Sequence, residues 1–270
     1  MSTPFKQAEN KIRSILAANS RDSDHFAESI RRKRIPHLSF SQVTTLEFCQ
    51  YRYYLQYVLF EELDPIPRYF IKGRRMHALI AQSYAALRAN QAHPESAVPE
   101  AFPEESEGVE ARHIRNAYQV HRSHLWTDYE IRGIEHPFVF SIDASLPPLV
   151  GVIDLVLAKD GCYFLVDHKT GRDFYPDDAL QVAIYARYIH TQHHTENVRL
   201  FYDHYRWVNN LDRIRKPAFE RREVAAELGD WERYLRRIQK AYRVMDSLSD
   251  GARPVKHGEC FRCPYRGQCA

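Results

Sequence analysis

Apolar positions recur at helical spacing over roughly the first 130 residues, and at the two-residue spacing of strands over the next forty. Residues 5–19 predict a short amphipathic helix, followed by a polar stretch to about residue 36. Ser39 with Gln42 three residues later forms a capping box, opening a helix predicted to run through Phe48, Cys49, Tyr53, Leu55 and Val58. Pro65-Ile66-Pro67 interrupts the chain. A second helix is predicted from about Lys72 to Arg88, with Met76, His77, Ile80 and Leu87 on its apolar side. Residues 91–107 place Pro94, Pro99 and Pro103 among five glutamates and read as a surface loop. A third helix follows at roughly 109–130.

The texture then changes. Residues 134–142, 149–158 and 161–168 are rich in β-branched and aromatic side chains and are separated by Pro147-Pro148 and by Asp160-Gly161, a hairpin signal. A helix at 177–191, a strand at 197–207, another near 212–222 and a helix at 224–247 complete the pattern. Helices, then a meander, then alternating elements predict an α/β or α+β core with an N-terminal helical section.

A length of 270 residues suits one large domain, or one domain with an appendage. No apolar run approaches the ~20 residues that span a bilayer, and the first eleven residues lack the apolar block of a signal peptide. The expectation is a soluble cytoplasmic protein with no membrane partner. A net charge of +3 decides nothing about partners. Arg31-Arg32-Lys33-Arg34 and the helical set Arg236, Arg237, Lys240 and Arg243 are, taken alone, solvated faces. They become phosphate contacts only if the rest of the chain does nucleic-acid chemistry.

The informative segment is Gly151-Val152-Ile153-Asp154, twelve intervening residues, then Asp167-His168-Lys169-Thr170-Gly171. Residues two apart on a strand point the same way, so Asp167 and Lys169 share a face, and the hairpin can bring Asp154 beside them. Paired carboxylates suit Mg²⁺ or Mn²⁺, which activate water and neutralise charge on a phosphodiester, and a nearby lysine can orient or deprotonate that water. An isolated Asp-x-Lys is a common strand end and carries no information by itself.

Further matches change its weight. The hairpin resembles the active-site hairpin of the RecB-like branch of the PD-(D/E)xK nucleases. That branch carries a Gln-x-x-x-Tyr motif on the next helix, matched here by Gln181 and Tyr185, which lie four apart on one helix face. It also places a histidine on an upstream helix in a Gly-x-x-x-His setting, matched by Gly73 and His77; alone, His77 reads as a packed helix histidine. The resemblance covers about residues 38–270 and implies a restriction-endonuclease-like mixed sheet flanked by helices. It further implies His77, Asp154, Asp167 and the carbonyl of His168 as ligands of Mg²⁺ or Mn²⁺, Lys169 acting on the water and the phosphate, and Gln181 with Tyr185 positioning the lysine and the DNA strand.

Cys49, Cys162, Cys260, Cys263 and Cys269 are an odd number in a chain without secretory features, which does not read as a disulfide framework. Cys260, Cys263 and Cys269 have the C-x2-C-x5-C spacing of a metal centre that needs a fourth ligand, from Cys49 or Cys162. Cys162 follows the hairpin turn and reads as a small packed side chain. Spacing alone leaves zinc and a [4Fe–4S] cluster both open. The pattern of a lone upstream cysteine, here Cys49, far before the tail is similar to the iron–sulfur staple of RecB-like nucleases of CRISPR adaptation and of the AddB helicase subunit. The resemblance therefore implies a structural [4Fe–4S] cluster clamping the chain ends.

The expected organisation is an N-terminal helix and basic segment (1–36), a helical section carrying Cys49 and His77 (37–130), a nuclease core (131–250) and a Cys-rich tail (251–270). No G-x-x-x-x-G-K-[ST] loop is present, so the chain has no ATP motor of its own. The expected activity is a DNA exonuclease or end-processing nuclease acting on single strands or duplex ends, with CRISPR integration or recombination proteins as partners. A structure-specific or restriction-like endonuclease on the same core and a non-catalytic DNA-binding protein are the rivals.

Overall fold

The computed structural model describes residues 3–18, 23–63, 66–89, 108–173, 178–224, 230–256, 260 and 263–269; the loop expected at 91–107 lies outside them. Eight α-helices and five strands are described: α1 (Pro4–Ala18), α2 (Ser23–Arg32), α3 (Phe40–Phe48), α4 (Gln50–Tyr53), α5 (Arg68–Ala89), α6 (Val109–Arg122), β1 (Glu130–Phe140), β2 (Leu149–Lys159), β3 (Cys162–Gly171), α7 (Ala179–His193), β4 (Val198–Arg206), β5 (Phe219–Val224) and α8 (Trp231–Ser249). The strands form one mixed sheet in the order β1-β2-β3-β4-β5, antiparallel at β2/β3 and β4/β5 and parallel at β3/β4. A parallel pair needs a crossover, and α7 supplies it. This is the restriction-endonuclease-like mixed α/β architecture. Among the described residues no helix is long and apolar enough to cross a membrane.

Two compact units interleave along the chain. The first comprises residues 1–67, 137–152 and 227–270; the second comprises 68–136 and 153–226. In the first, Ala8, Ile12 and Ile15 of α1 and Phe26 and Ile30 of α2 bury against Val139 and Val150. Glu9 is buried among them but satisfied: it accepts from Lys6 at 2.8 Å, Arg13 at 2.6 Å and Ser141 at 2.8 Å. Burial alone would raise its pKa, yet these donors outweigh that and hold it at about 2. The glycine of the Gly151 motif has a packing reason. A Cβ there would lie 2.6 Å from Cζ of the buried Phe138 ring, closer than side chains approach.

In the second unit, Met76, Ile80, Tyr84 and Leu87 of α5 recur every three or four residues. With Ile114 and Tyr118 of α6 they cover Leu155, Leu157, Phe164 and Val166 of the β2/β3 hairpin. Asp160 and Gly161 both take positive φ, 51° and 75°, as a two-residue hairpin turn demands.

Several boundaries differ from the sequence expectation. The helix expected through Val58 breaks at Cys49, whose backbone is extended (φ −166°, ψ 118°), and resumes as α4 and a π-helical turn over Tyr54–Val58. The third helix stops at Arg122, and β1 begins at Glu130. The polar stretch before residue 36 contains α2. The strand expected near 212–222 is a 3₁₀ turn, Leu211–Arg213, followed by β5. Part of the basic surface is engaged within the fold. Arg34 lies over the Phe60 ring, Arg31 is 4.0 Å from Glu62, and Arg237 grips Glu47 with two bonds at 2.7 and 2.6 Å.

Candidate active site

The site is assembled wholly within the second unit. The two-residue turn pairs Lys159 with Cys162 and Leu155 with Val166, so one step further Asp154 comes level with Asp167. Alternation along β3 sends Phe164, Val166 and His168 toward α5 and α6, and sends Asp167 and Lys169 toward α7. Asp178 caps α7 by accepting from Leu180 N at 2.9 Å, and the first turns of that helix carry Gln181 and Tyr185.

These residues form a closed network. Lys169 Nζ lies 2.6 Å from Asp167 Oδ2 and donates to Gln181 Oε1 at 2.8 Å. Gln181 Nε2 donates to Asp167 Oδ1 at 2.6 Å and to the Tyr185 hydroxyl at 2.8 Å, and that hydroxyl donates to Asp167 Oδ1 at 3.2 Å. One glutamine thus orients the carboxylate and the lysine together. The buried Tyr185 has its pKa pushed well up by burial and by the Asp167 and Asp154 charges, so it stays a donor at every working pH.

Asp154 occupies the other half of the site. Its Oδ2 accepts from His168 N at 2.7 Å and stands 3.6 Å from His77 Nδ1 of α5. Sequence reasoning omitted one member. Ligand atoms of His77, Glu135 and Asp154 all lie within 4.8 Å of one another, the one such grouping of histidine, cysteine and carboxylate residues among the described residues. Glu135 reaches the cluster through a kink in β1. Its φ is 44°, unusual for a residue other than glycine, and the backbone curls so tightly that a Cβ on Gly133 would sit 3.0 Å from the His136 side chain.

The donor set of one imidazole and carboxylates suits a hard divalent cation. The electrostatics agree. Burial, reinforced by Asp167, pushes the Asp154 carboxyl up to about 6, although His77, the His168 N–H and Lys169 oppose the rise. A cation at this point would relieve that cost. The side chain of His168, by contrast, is buried and faces His77, Tyr84, His121 and Tyr205. Burial and the nearby His77 hold it well below the usual histidine range, so it is neutral.

The family profile of the PD-(D/E)XK nuclease superfamily matches residues 37–270. The chain belongs to that superfamily. No curated protein matches it. Among solved structures it is similar to the crystal structure of SSO0001, with 14% sequence identity over 90% of this chain and 93% of that one and a TM-score of 0.45. As a superfamily member, the chain is a metal-dependent nuclease in general terms.

A pH dependence follows from Asp154. A carboxyl whose folded pKa is raised contributes stability below its ordinary value near 3.8 and loses that contribution as pH rises through about 6. Protons also compete with the cation for the same oxygens. Mn²⁺ should therefore raise the thermal midpoint more at pH 7.5 than at pH 5, in paired melts with and without EDTA. An equal or larger shift at pH 5 would contradict the assignment of Asp154.

The remaining predicted site residues lie in the first unit. Cys49 is buried at the α3/α4 break, and the tail docks beside it: Tyr51 N donates to Val255 O at 3.2 Å, Val255 N to Gln50 Oε1 at 3.1 Å, and the Tyr265 hydroxyl to Glu61 O at 3.1 Å. Burial raises the Cys269 thiol pKa, and Cys263, Cys260 and Cys49 raise it further, which places the four cysteines in one electrostatic neighbourhood. Cys162 belongs to the second unit and packs at the edge of its core.

Proposed function

We propose that this chain is a divalent-metal-dependent deoxyribonuclease of the RecB-like branch that processes single strands or duplex ends. The observation that carries the proposal is the joining of His77, Glu135 and Asp154, through the β2/β3 hairpin, to the Asp167–Lys169–Gln181 network. When bound, Mg²⁺ or Mn²⁺ would supply Lewis acidity toward the phosphodiester and lower the pKa of a water molecule. His77, Asp154 and Asp167, with the carbonyl of His168 and with Glu135 added to the set, are the groups that would hold it.

The chain's own contribution is orientation and charge. The His168 N–H fixes the rotamer of Asp154. Gln181 and Tyr185 fix Asp167 through Oδ1, and Gln181 aims the Lys169 ammonium. Lys169 then donates to the charge that develops on the phosphate, or takes part in moving the proton of the attacking water. Circular single-stranded DNA tests the mode of attack. An end-dependent enzyme with Mn²⁺ degrades the linear form and leaves the circle; linearisation of the circle at a comparable rate would favour the restriction-like endonuclease.

The same reading gives Cys49, Cys260, Cys263 and Cys269 to a structural [4Fe–4S] cluster that ties the tail to the α3/α4 break. The electrostatic influence of Cys263, Cys260 and Cys49 on the Cys269 thiol supports that reading, since such a centre takes four thiolates. Iron and sulfide in the purified protein, with a visible absorption band lost in Cys260→Ser, would support it; stoichiometric zinc without iron after anaerobic preparation would overturn it. Proteins of CRISPR spacer integration or of recombination are the partners this reading implies.

A further inference from the structure

Two contacts bring side chains outside the catalytic network to the end of β3. Trp207 donates its backbone N–H to Gly171 O at 2.7 Å, two residues past Lys169. On α5, Gly73 runs so near the hairpin that a Cβ there would lie 3.6 Å from Thr170 Oγ1. Lys72 precedes that glycine, and Arg172 follows Gly171.

Lys72 is held firmly. Its Nζ lies 4.4 Å from the centre of the Trp207 ring and 3.3 Å from His113 Nδ1, and His113 Nε2 lies 3.0 Å from Asn209 Oδ1. An amide oxygen only accepts, so Nε2 carries the proton and Nδ1 accepts from the ammonium. Asn116 pins the same segment by donating to Val208 O at 2.9 Å. Among the described residues no carboxylate lies within 4.0 Å of Lys72 or Arg172. Burial lowers the Lys72 pKa and Arg172 acts the same way, while Glu110, farther off, opposes them. A half-buried cation with no ion-pair partner among the described residues carries a free-energy cost that an anion at this point would return. Tyr69, three residues before Lys72 and so on the same side of α5, is 56% exposed, and its ring lies 4.4 Å from that of Phe70. Lys72 lies roughly 140° around the helix from His77. Its link to the site runs through Trp207, which is bonded to Gly171 two residues, about 6.6 Å along the strand, past Lys169, the spacing of a phosphate next to the one being cut.

We propose that Lys72 and Arg172, with His113 and Asn209 holding Lys72 in place, form a subsite for the backbone phosphate adjoining the scissile one on an unpaired DNA strand, with Tyr69 stacking on the neighbouring base. The position next to the cut phosphate rests on the proposed nuclease activity; the binding of the strand does not. The occupant is an unpaired strand because the exposed face of Tyr69 needs a base free of its duplex stack.

Anisotropy of a labelled oligothymidylate, titrated in EDTA over a salt series, separates binding from cleavage. Lys72→Met keeps the stem against Trp207 and removes the charge. It should bind on the order of tenfold more weakly at low salt, with a salt slope shallower by about 0.7, the effect of one phosphate contact on a single strand. Lys72→Arg should keep the slope. Tyr69→Ala should weaken binding by on the order of tenfold with the slope unchanged; it carries the test if the melting curve shows that Lys72→Met does not fold. Wild-type affinity in both Lys72→Met and Tyr69→Ala, with the slope of Lys72→Met unchanged, would overturn the subsite, and a blunt duplex bound as tightly as the single strand would overturn the unpaired-strand assignment. A wild type that binds the strand but cuts nothing with Mn²⁺ would sink the nuclease reading and leave the subsite standing.

Discussion

Asp167→Asn and Lys169→Met should each lower the rate of metal-dependent DNA cleavage by on the order of 10³-fold while leaving the protein folded. The two side chains are 2.6 Å apart, and one glutamine bonds both of them. Asparagine can still accept from Gln181 and Tyr185 through its oxygen, so the network survives Asp167→Asn and the charge does not. Lys169 is about a third exposed, and in Lys169→Met the buried Asp167 carboxylate still accepts from Gln181 and Tyr185. Thermal midpoints within a few degrees of wild type would therefore accompany the loss of rate. Gln181→Ala touches no reacting atom in this scheme and should cost less, roughly 10–100-fold, as the loss of an orienting group does. Wild-type rates in Asp167→Asn would remove the hairpin from the chemistry.

The largest effect on stability is expected away from that cluster. Asp203 of β4 is fully buried and sits opposite Arg221 of β5. Arg221 Nε donates to Oδ1 at 2.7 Å and Nη2 to Oδ2 at 2.8 Å, Trp126 Nε1 adds a bond at 3.1 Å, and the guanidinium lies 3.8 Å from the Trp126 ring centre. Arg221 also donates to His124 O at 2.7 Å. Arg221→Met would leave the Asp203 carboxylate buried with only the indole N–H from this set, and breaking one side of a buried pair costs roughly 3–5 kcal/mol. For a chain of this size the midpoint should fall by on the order of 10 °C. Asp203→Asn combined with Arg221→Met removes both charges and should recover part of the loss. A double variant less stable than the single one would mean that the pair is not the source.

The chemistry was legible in the sequence where it is local, and hidden where it depends on distant strands. Asp154, Asp167 and Lys169 flank a two-residue Asp160-Gly161 turn whose positive φ angles fix the register, and Gln181 with Tyr185 lie one helical turn apart. Such spacings survive folding unchanged. Glu135 was not legible, because it enters the site through a left-handed residue in β1 and no periodicity encodes that kink. The Asp203–Arg221 pair depends on the register of β4 against β5, which no local pattern specifies. The break at Cys49 lacks a proline or glycine to announce it, and the helical reading ran straight through it. Helix α2 did carry a signal, Phe26 and Ile30 four apart, but the polar residues around them obscured it.

In the proposed activity, cleavage depends on a cation held around Asp154. Its most direct test is the initial rate of cutting an end-labelled linear single strand as a function of Mn²⁺ concentration, with wild type and Asp154→Asn measured side by side. Asparagine still accepts from His168 N, so only the charge is lost. The account predicts no cutting in EDTA, a saturable rise with Mn²⁺ in wild type, and a variant curve displaced to at least ~10-fold higher metal with a lower plateau. Cutting that persists in EDTA, or curves that superimpose, would contradict it.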